Sequence, residues 1–131
     1  QVNQDGYRTT TLFDAAGQSS VLINSAGGRF SFLYDANNRR IATIDPLGRR
    51  VTATYDAAGR QTTRLDAQGQ LTSYVYDAVD ELLNREYPDG SRATFTYDAN
   101  GNRTRTENGV VVVTVIYNAR NQRGDTSTTY K

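Results

Sequence analysis

Carboxylates are the side chains in this sequence most able to do chemistry. Asp56 with Asp77, or Asp80 with Glu81, could act as a general acid and base if their surroundings split their pKa values. The spacing argues otherwise. An Asp follows an aromatic residue at Asp14, Asp35, Asp56, Asp77 and Asp98, and an active site does not need five copies of one acid. There is no His and no Cys, so the usual base and nucleophile are missing, and the many Ser and Thr stand beside no base. Asp98-Ala99-Asn100-Gly101-Asn102 has the look of a calcium loop, but its Gly arrives too early and no Glu closes the site. Ions shared between neighbouring repeats are the other route to a metal site, and an Asp-capped turn is the plainer reading of the same residues. Neither a catalytic residue, a metal ligand nor a cofactor is expected.

Tyr and Arg offer a different chemistry. Rings interleaved with guanidinium groups can stack on glycans or on single-stranded nucleic acid. Nucleic acid would require an excess of positive charge, and 15 basic residues against 14 acidic ones leave a net charge of only +1. The plainer expectation is a ladder of equivalent Tyr residues, with Arg39, Arg60 and Arg103 stacked on it or paired with nearby Asp.

What must position these residues is a repeat. The aromatics Phe13, Tyr34, Tyr55, Tyr76 and Tyr97 are 21 residues apart, and Tyr117 follows after 20. Ala comes two after the aromatic in all six copies, and Asn118 stands for Asp in the last. A period near 20 marks a repeat architecture in which the array, not the unit, folds. Residues 1–131 are therefore read as a single array of about six repeats, cut from a longer protein. Leu, Ile, Val and Phe number 26 of 131, near the compositional edge of disorder, while nine Tyr, abundant Thr and the small net charge favour ordered strands. No run is long and apolar enough to span a membrane as a helix, and no membrane insertion is expected.

Each repeat contains two turns. The first is the phrase itself, with Gly17, Gly59 and Gly101 where a left-handed backbone is wanted; Asn38, Asp80 and Asn121 take that place in the other copies. The second lies midway, at Asn24-Ser25-Ala26-Gly27, Asp45-Pro46-Leu47-Gly48, Asp66-Ala67-Gln68-Gly69 and Tyr87-Pro88-Asp89-Gly90, in the residue order of a type I turn. Gly6, 21 residues before Gly27, and a strand from Tyr7 to Phe13 extend the pattern toward the start. Between turns, Phe30, Phe32 and Tyr34, or Ala93, Phe95 and Tyr97, alternate with polar residues, which predicts hairpins with one well-specified face. The strand leaving the phrase is less decided, with Val21 and Ala42 reading as buried but Arg105 and Glu107 not. Gly109 falls 12 residues after Tyr97 rather than 14, which predicts a shortened loop or a bulge, and Arg123 to Lys131 reads as an edge strand.

The phrase Tyr55-Asp56-Ala57-Ala58-Gly59-Arg60, with Tyr97-Asp98-Ala99-Asn100-Gly101-Asn102 and the mid-repeat Pro-x-Gly, resembles the YD-repeat or Rhs-repeat family over essentially the whole chain. The resemblance implies hairpins joined edge to edge into a long antiparallel sheet that spirals, often as a hollow shell enclosing a toxin in bacterial Rhs proteins and insecticidal toxin complexes. Related barrels occur in teneurins. The core segment that closes such shells and cuts off a C-terminal payload has no counterpart here, and Asp45-Pro46-Leu47-Gly48 is an ordinary repeat turn. The expectation is an all-β scaffold, not an enzyme: tandem antiparallel hairpins forming a continuous, twisted or spiralling sheet. It would serve as the wall of an encapsulating shell or the shaft of an extracellular fibre, in a secreted or cell-surface bacterial protein. Its partners would be neighbouring repeats or like subunits at open sheet edges, with an enclosed polypeptide or a surface glycan beyond them. The rival is a carbohydrate-binding adhesin, which needs its Tyr side chains facing solvent.

Overall fold

The computed structural model describes residues 8–131; Gly6 and Tyr7 lie outside them. Two compact units divide the chain after Gln70. The first holds β1 (Thr10–Phe13), β2 (Ser19–Ile23), β3 (Arg29–Tyr34), β4 (Arg40–Ile44), β5 (Arg50–Tyr55) and β6 (Gln61–Leu65). The second holds β7 (Leu71–Tyr76), β8 (Leu82–Glu86), β9 (Arg92–Tyr97), β10 (Arg103–Glu107), β11 (Val111–Tyr117) and β12 (Arg123–Tyr130). Within each unit every strand pairs antiparallel with the next in sequence, an up-and-down meander without crossovers. Among the described residues there is no helix.

The two turns of a repeat prove to be one turn used twice. In both, the first residue's carbonyl accepts the NH three residues on, and its own NH donates to the carbonyl four residues on, as at Asp35 and Asp45. The side-chain oxygen of that first residue accepts the NH groups two and four ahead, at 2.9 Å each in Asp35 and Asp45. The fourth residue is left-handed: Gly48 at φ 77° in one turn, and Asn38 at φ 65° in the other. Asp80 holds the same conformation at φ 68°, a strain that Asn and Asp bear better than most residues because their side chains can bond locally.

An extra residue separates the two halves. Turns begin at Asp14, Asn24, Asp35, Asp45, Asp56 and Asp66, steps of 10 and 11 in alternation. The longer steps carry the six-residue strands β3 and β5, and the shorter ones carry a bulge beside the phrase: Tyr34 pairs with Arg40 but Leu33 with Ala42, leaving Ile41 without an opposite number. The same shift occurs beside Phe13, Tyr55 and Tyr76. It staggers the array. Leu12 is in line with Val21 and Ser31, whereas its equivalent one repeat on is Leu33, so each repeat slides two residues along the strand direction.

Burial is slight. Val21, Ala42, Ala93 and Phe95 are the buried hydrophobic residues, and no polar residue among those described is buried. In β9 the alternation is clean, with Ala93 and Phe95 buried between exposed Arg92, Thr94 and Thr96. The first unit departs from the one-face expectation: Val21 pairs with Leu12, and Ala42 with Leu33, so both lie on the face opposite Phe13 and Tyr34. The shortened repeat is explained by its mid turn. Asn108 starts that turn in the usual place, 11 residues after the aromatic, but Val111 closes it one residue early, and the Gly moves forward with it.

Candidate functional site: the joints between repeats

Every phrase aromatic ends an odd-numbered strand, and every phrase Asp opens the turn that follows. Phe13 is exposed, whereas Tyr34, Tyr55, Tyr76, Tyr97 and Tyr117 are half-buried. The carboxylates of Asp14, Asp35, Asp77 and Asp98 each accept two backbone NH groups of their own turn, as does the amide oxygen of Asn118. Asp56 does the same toward Ala58 and Arg60. Midway, Asn24, Asp45 and Asp66 repeat the pattern ahead of Gly27, Gly48 and Gly69. Pro46 and Pro88 occupy the second turn position; before Gly90, where Tyr87 has no carboxylate, Asp89 bonds Ser91 instead. The acids are therefore spread over separate turns, and only the fourth phrase turn gathers several, Asp77, Asp80 and Glu81. Among the described residues no three His, Cys, Asp or Glu come together as metal ligands. In the Asp98 loop both carboxylate oxygens take donors from Asn102, and one also accepts the NH of Asn100.

The Tyr residues act across repeats. The hydroxyl of Tyr34 donates to the Ser19 carbonyl at 2.9 Å, that of Tyr55 to Arg40 at 2.9 Å, and that of Tyr97 to Leu82 at 3.0 Å. Ser19, Arg40 and Leu82 are each the strand partner of the preceding aromatic, at the bulge. A bulge disrupts the ladder, and a backbone carbonyl away from water needs a donor. The Tyr of one repeat supplies it to the last.

A second joint runs forward from the residue five after the aromatic. The Arg39 Nε pairs with Asp35 at 2.7 Å, its Nη1 donates to the Asp56 carbonyl at 2.7 Å, and its guanidinium lies 5.0 Å from the Tyr55 ring centre. One side chain thus closes its own turn and holds the next. Arg60 makes the same pairing with Asp56 at 2.7 Å. In this position Gln18 reaches Asn38 at 2.7 Å, and Asn102 bonds both Asp98 and Asn121. Arg103 does not join the set: it stands one residue further on, in β10, and lies 5.5 Å from the Phe95 ring centre. The sequence points to Arg39 and Arg60 for this role but not to Gln18, Glu81 and Asn102 as their equivalents. The signal was there, a polar side chain always five after the aromatic.

The fourth copy is the odd one. Glu81 stands where an Arg would, near enough to the next turn that a Cβ on Gly101 would lie 3.3 Å from its Oε1. Partial burial, then the charges of Asp77 and Asp98, push its carboxyl above the ordinary range. Asp35 and Asp56 go the other way. The backbone NH of Arg39 acts most on Asp35 and the side chain of Arg60 most on Asp56, and both carboxyls are held below their usual range against some desolvation.

The RHS repeat model matches residues 34–71 and 76–111, more than half of the chain. This chain belongs to the RHS repeat family. The crystal structure of TcdB2-TccC3-Cdc42 shares its fold with a TM-score of 0.83 at 20% identity, over 92% of this chain and 7% of that one. The crystal structure of TcdB2-TccC3 without its hypervariable C-terminal region matches at 0.81 and 19%, with the same coverage. So does the Photorhabdus luminescens Tc holotoxin pore, at 0.79 and 19%. The chain thus spans 7% of the length of these structures, and at such identity the likeness is one of fold. No curated protein sequence matches it. The RHS repeats here are, among the described residues, twelve strands whose recurring polar residues serve turns and joints.

Proposed function

We propose that this chain is a length of shell wall, one array of RHS repeats within a longer secreted or cell-surface bacterial protein that encloses a polypeptide. Its part is structural and not catalytic. The observation that carries this reading is the direction of the joints: Tyr hydroxyls reach back and Arg39 reaches forward, so the polar side chains of the phrase tie repeat to repeat. Family membership and the shared fold with TcdB2-TccC3 support it. The stagger supports curvature: one residue per strand is the ratio of an eight-stranded barrel of shear eight, whose strands tilt by about 36°. The adhesin loses its premise where Tyr34, Tyr55 and Tyr97 already spend their hydroxyls on backbone carbonyls.

Electron microscopy of the full-length protein tests the reading. Hollow closed particles, with strands inclined by roughly 36° to the shell axis, are expected. Continuous solid fibres would make repeat stacking itself the function and overturn the wall.

A further inference from the structure

One joint is missing its tie. By the rule of Tyr34, Tyr55 and Tyr97, Tyr117 should donate to the carbonyl of Arg103, the strand partner of Tyr97. It does not. Among the described residues its hydroxyl bonds to nothing, because the short turn at Asn108 brings it 20 residues after Tyr97 and not 21. Where the tie is absent a basin of about 280 Å³ opens, lined by Tyr97, Arg103, Val113, Val115, Tyr117 and Arg123 among others. The corresponding hollow beside Arg40, Tyr55 and Gln61, where the Tyr55 tie is made, measures about 120 Å³.

The basin's charge is one-sided. Among the described residues no carboxylate lines it. Among the described residues Arg103 makes no ion pair and stacks on Phe95, and Arg123 reaches only the Thr126 hydroxyl, at 3.2 Å. Arg105, at the rim, is already paired with Glu107 at 2.8 Å. Two exposed guanidinium groups and a Tyr hydroxyl therefore face one hollow with donors to spare, over a floor of Val113 and Val115. Guanidinium binds carboxylate through paired parallel hydrogen bonds, and the Val floor suits the methylenes of a Glu side chain. A nucleic acid backbone would need more positive charge than a chain of net charge +1 presents.

We propose that this basin docks an acidic segment of a polypeptide, one Glu or Asp side chain entering between Arg103 and Arg123. The inference is independent of whether the wall closes. It is tested by fluorescence polarisation of the purified protein with a labelled poly-glutamate peptide, beside poly-glutamine and poly-lysine controls. Selective binding of poly-glutamate is expected, weakened about tenfold or more by Arg103→Gln with Arg123→Gln, a loss of ~1.4 kcal/mol or more. Tyr117→Phe, which removes one oxygen and no packing, should weaken it about threefold without moving the melting curve. Arg50→Gln, in the first unit, should change neither. Equal binding of poly-glutamine, no binding of any peptide, or binding untouched by Tyr117→Phe and the paired Arg change would each overturn the proposal. Displacement by inorganic sulfate at the same concentration as by unlabelled peptide would overturn it too, by reducing the basin to a general anion site.

Discussion

The two units bury opposite faces of the same repeat. In the first, the buried residues are Val21 and Ala42, on the face away from the phrase aromatics; in the second they are Ala93 and Phe95, on the face that carries Tyr97. The sequence at one position shows the drift. Eight residues after each aromatic come Val21, Ala42, Thr63, Asn84 and Arg105, apolar at one end and charged at the other. The phrase turns keep one backbone pattern from Asp14 to Asn118. A single-layer sheet has no fixed inside, so its faces are free to exchange roles, provided that turns and joints keep the strands in register. The repeat conserves its backbone chemistry and lets its core wander.

The largest effect expected from this contrast is at Phe95. Phe95→Ala should cost about 3 kcal/mol, near the low end for a buried ring because the sheet can partly collapse over the gap. The half-buried Phe32, its equivalent in the first unit, should cost clearly less on the same change. On the other face the order reverses: Ala42→Asn should cost about 2 kcal/mol by burying an amide, while the change Asn84→Ala should be nearly neutral. Urea midpoints of the four variants decide it, and equal costs at Phe32 and Phe95 would break the comparison.

Next come the joints. Tyr55→Phe leaves the Arg40 carbonyl without its donor and should cost about 1 kcal/mol, whereas Tyr117→Phe should cost nothing measurable, since that hydroxyl bonds to no described residue. A loss of equal size at both would mean that the tie contributes no stability. At the turns, Asp80→Gly relieves a left-handed Asp and should stabilise by about 0.5 kcal/mol, read as a rise in the thermal midpoint.

Most of the fold was legible because the information is local and repeated. The aromatic spacing, the alternation in Arg92 to Tyr97 and the Gly, Asn or Asp at left-handed positions each state a backbone geometry directly. The joints were less so. That Tyr55 is an aromatic of the sheet could be read; that its hydroxyl reaches Arg40 depends on the bulge, which arises between strands and leaves no residue type of its own. The likeness of the two turns was hidden for the same reason. Steps of 10 and 11 look like two different units until the same backbone bonds are seen at Asp35 and at Asp45. The basin is harder still, since a single missing residue near Asn108 acts on Tyr117, at the far end of the strand that follows.

The smallest and sharpest test is one of sign. Glu81 has a folded pKa above its ordinary 4.5, so the native chain holds that proton more tightly than the unfolded chain does. Ionised Glu81 is thus a liability, fully present above its raised pKa and relieved as pH falls toward 4.5. Asp35, Asp56 and Asp98 run opposite: their lowered pKa values stabilise the fold above the ordinary 3.8, and that contribution is lost as pH falls through the lowered values. Glu81→Gln should therefore melt higher than the parent at pH 7, with the advantage shrinking as the solution is acidified and gone below pH 4.5. Glu81→Arg should gain more, because it restores at the fourth turn the pairing that Arg60 makes with Asp56. Thermal midpoints across this range separate the two ideas of the fourth turn. A Gln variant that parallels the parent at every pH would show that Asp77 and Asp98 do not act on Glu81, and that the joint tolerates either charge.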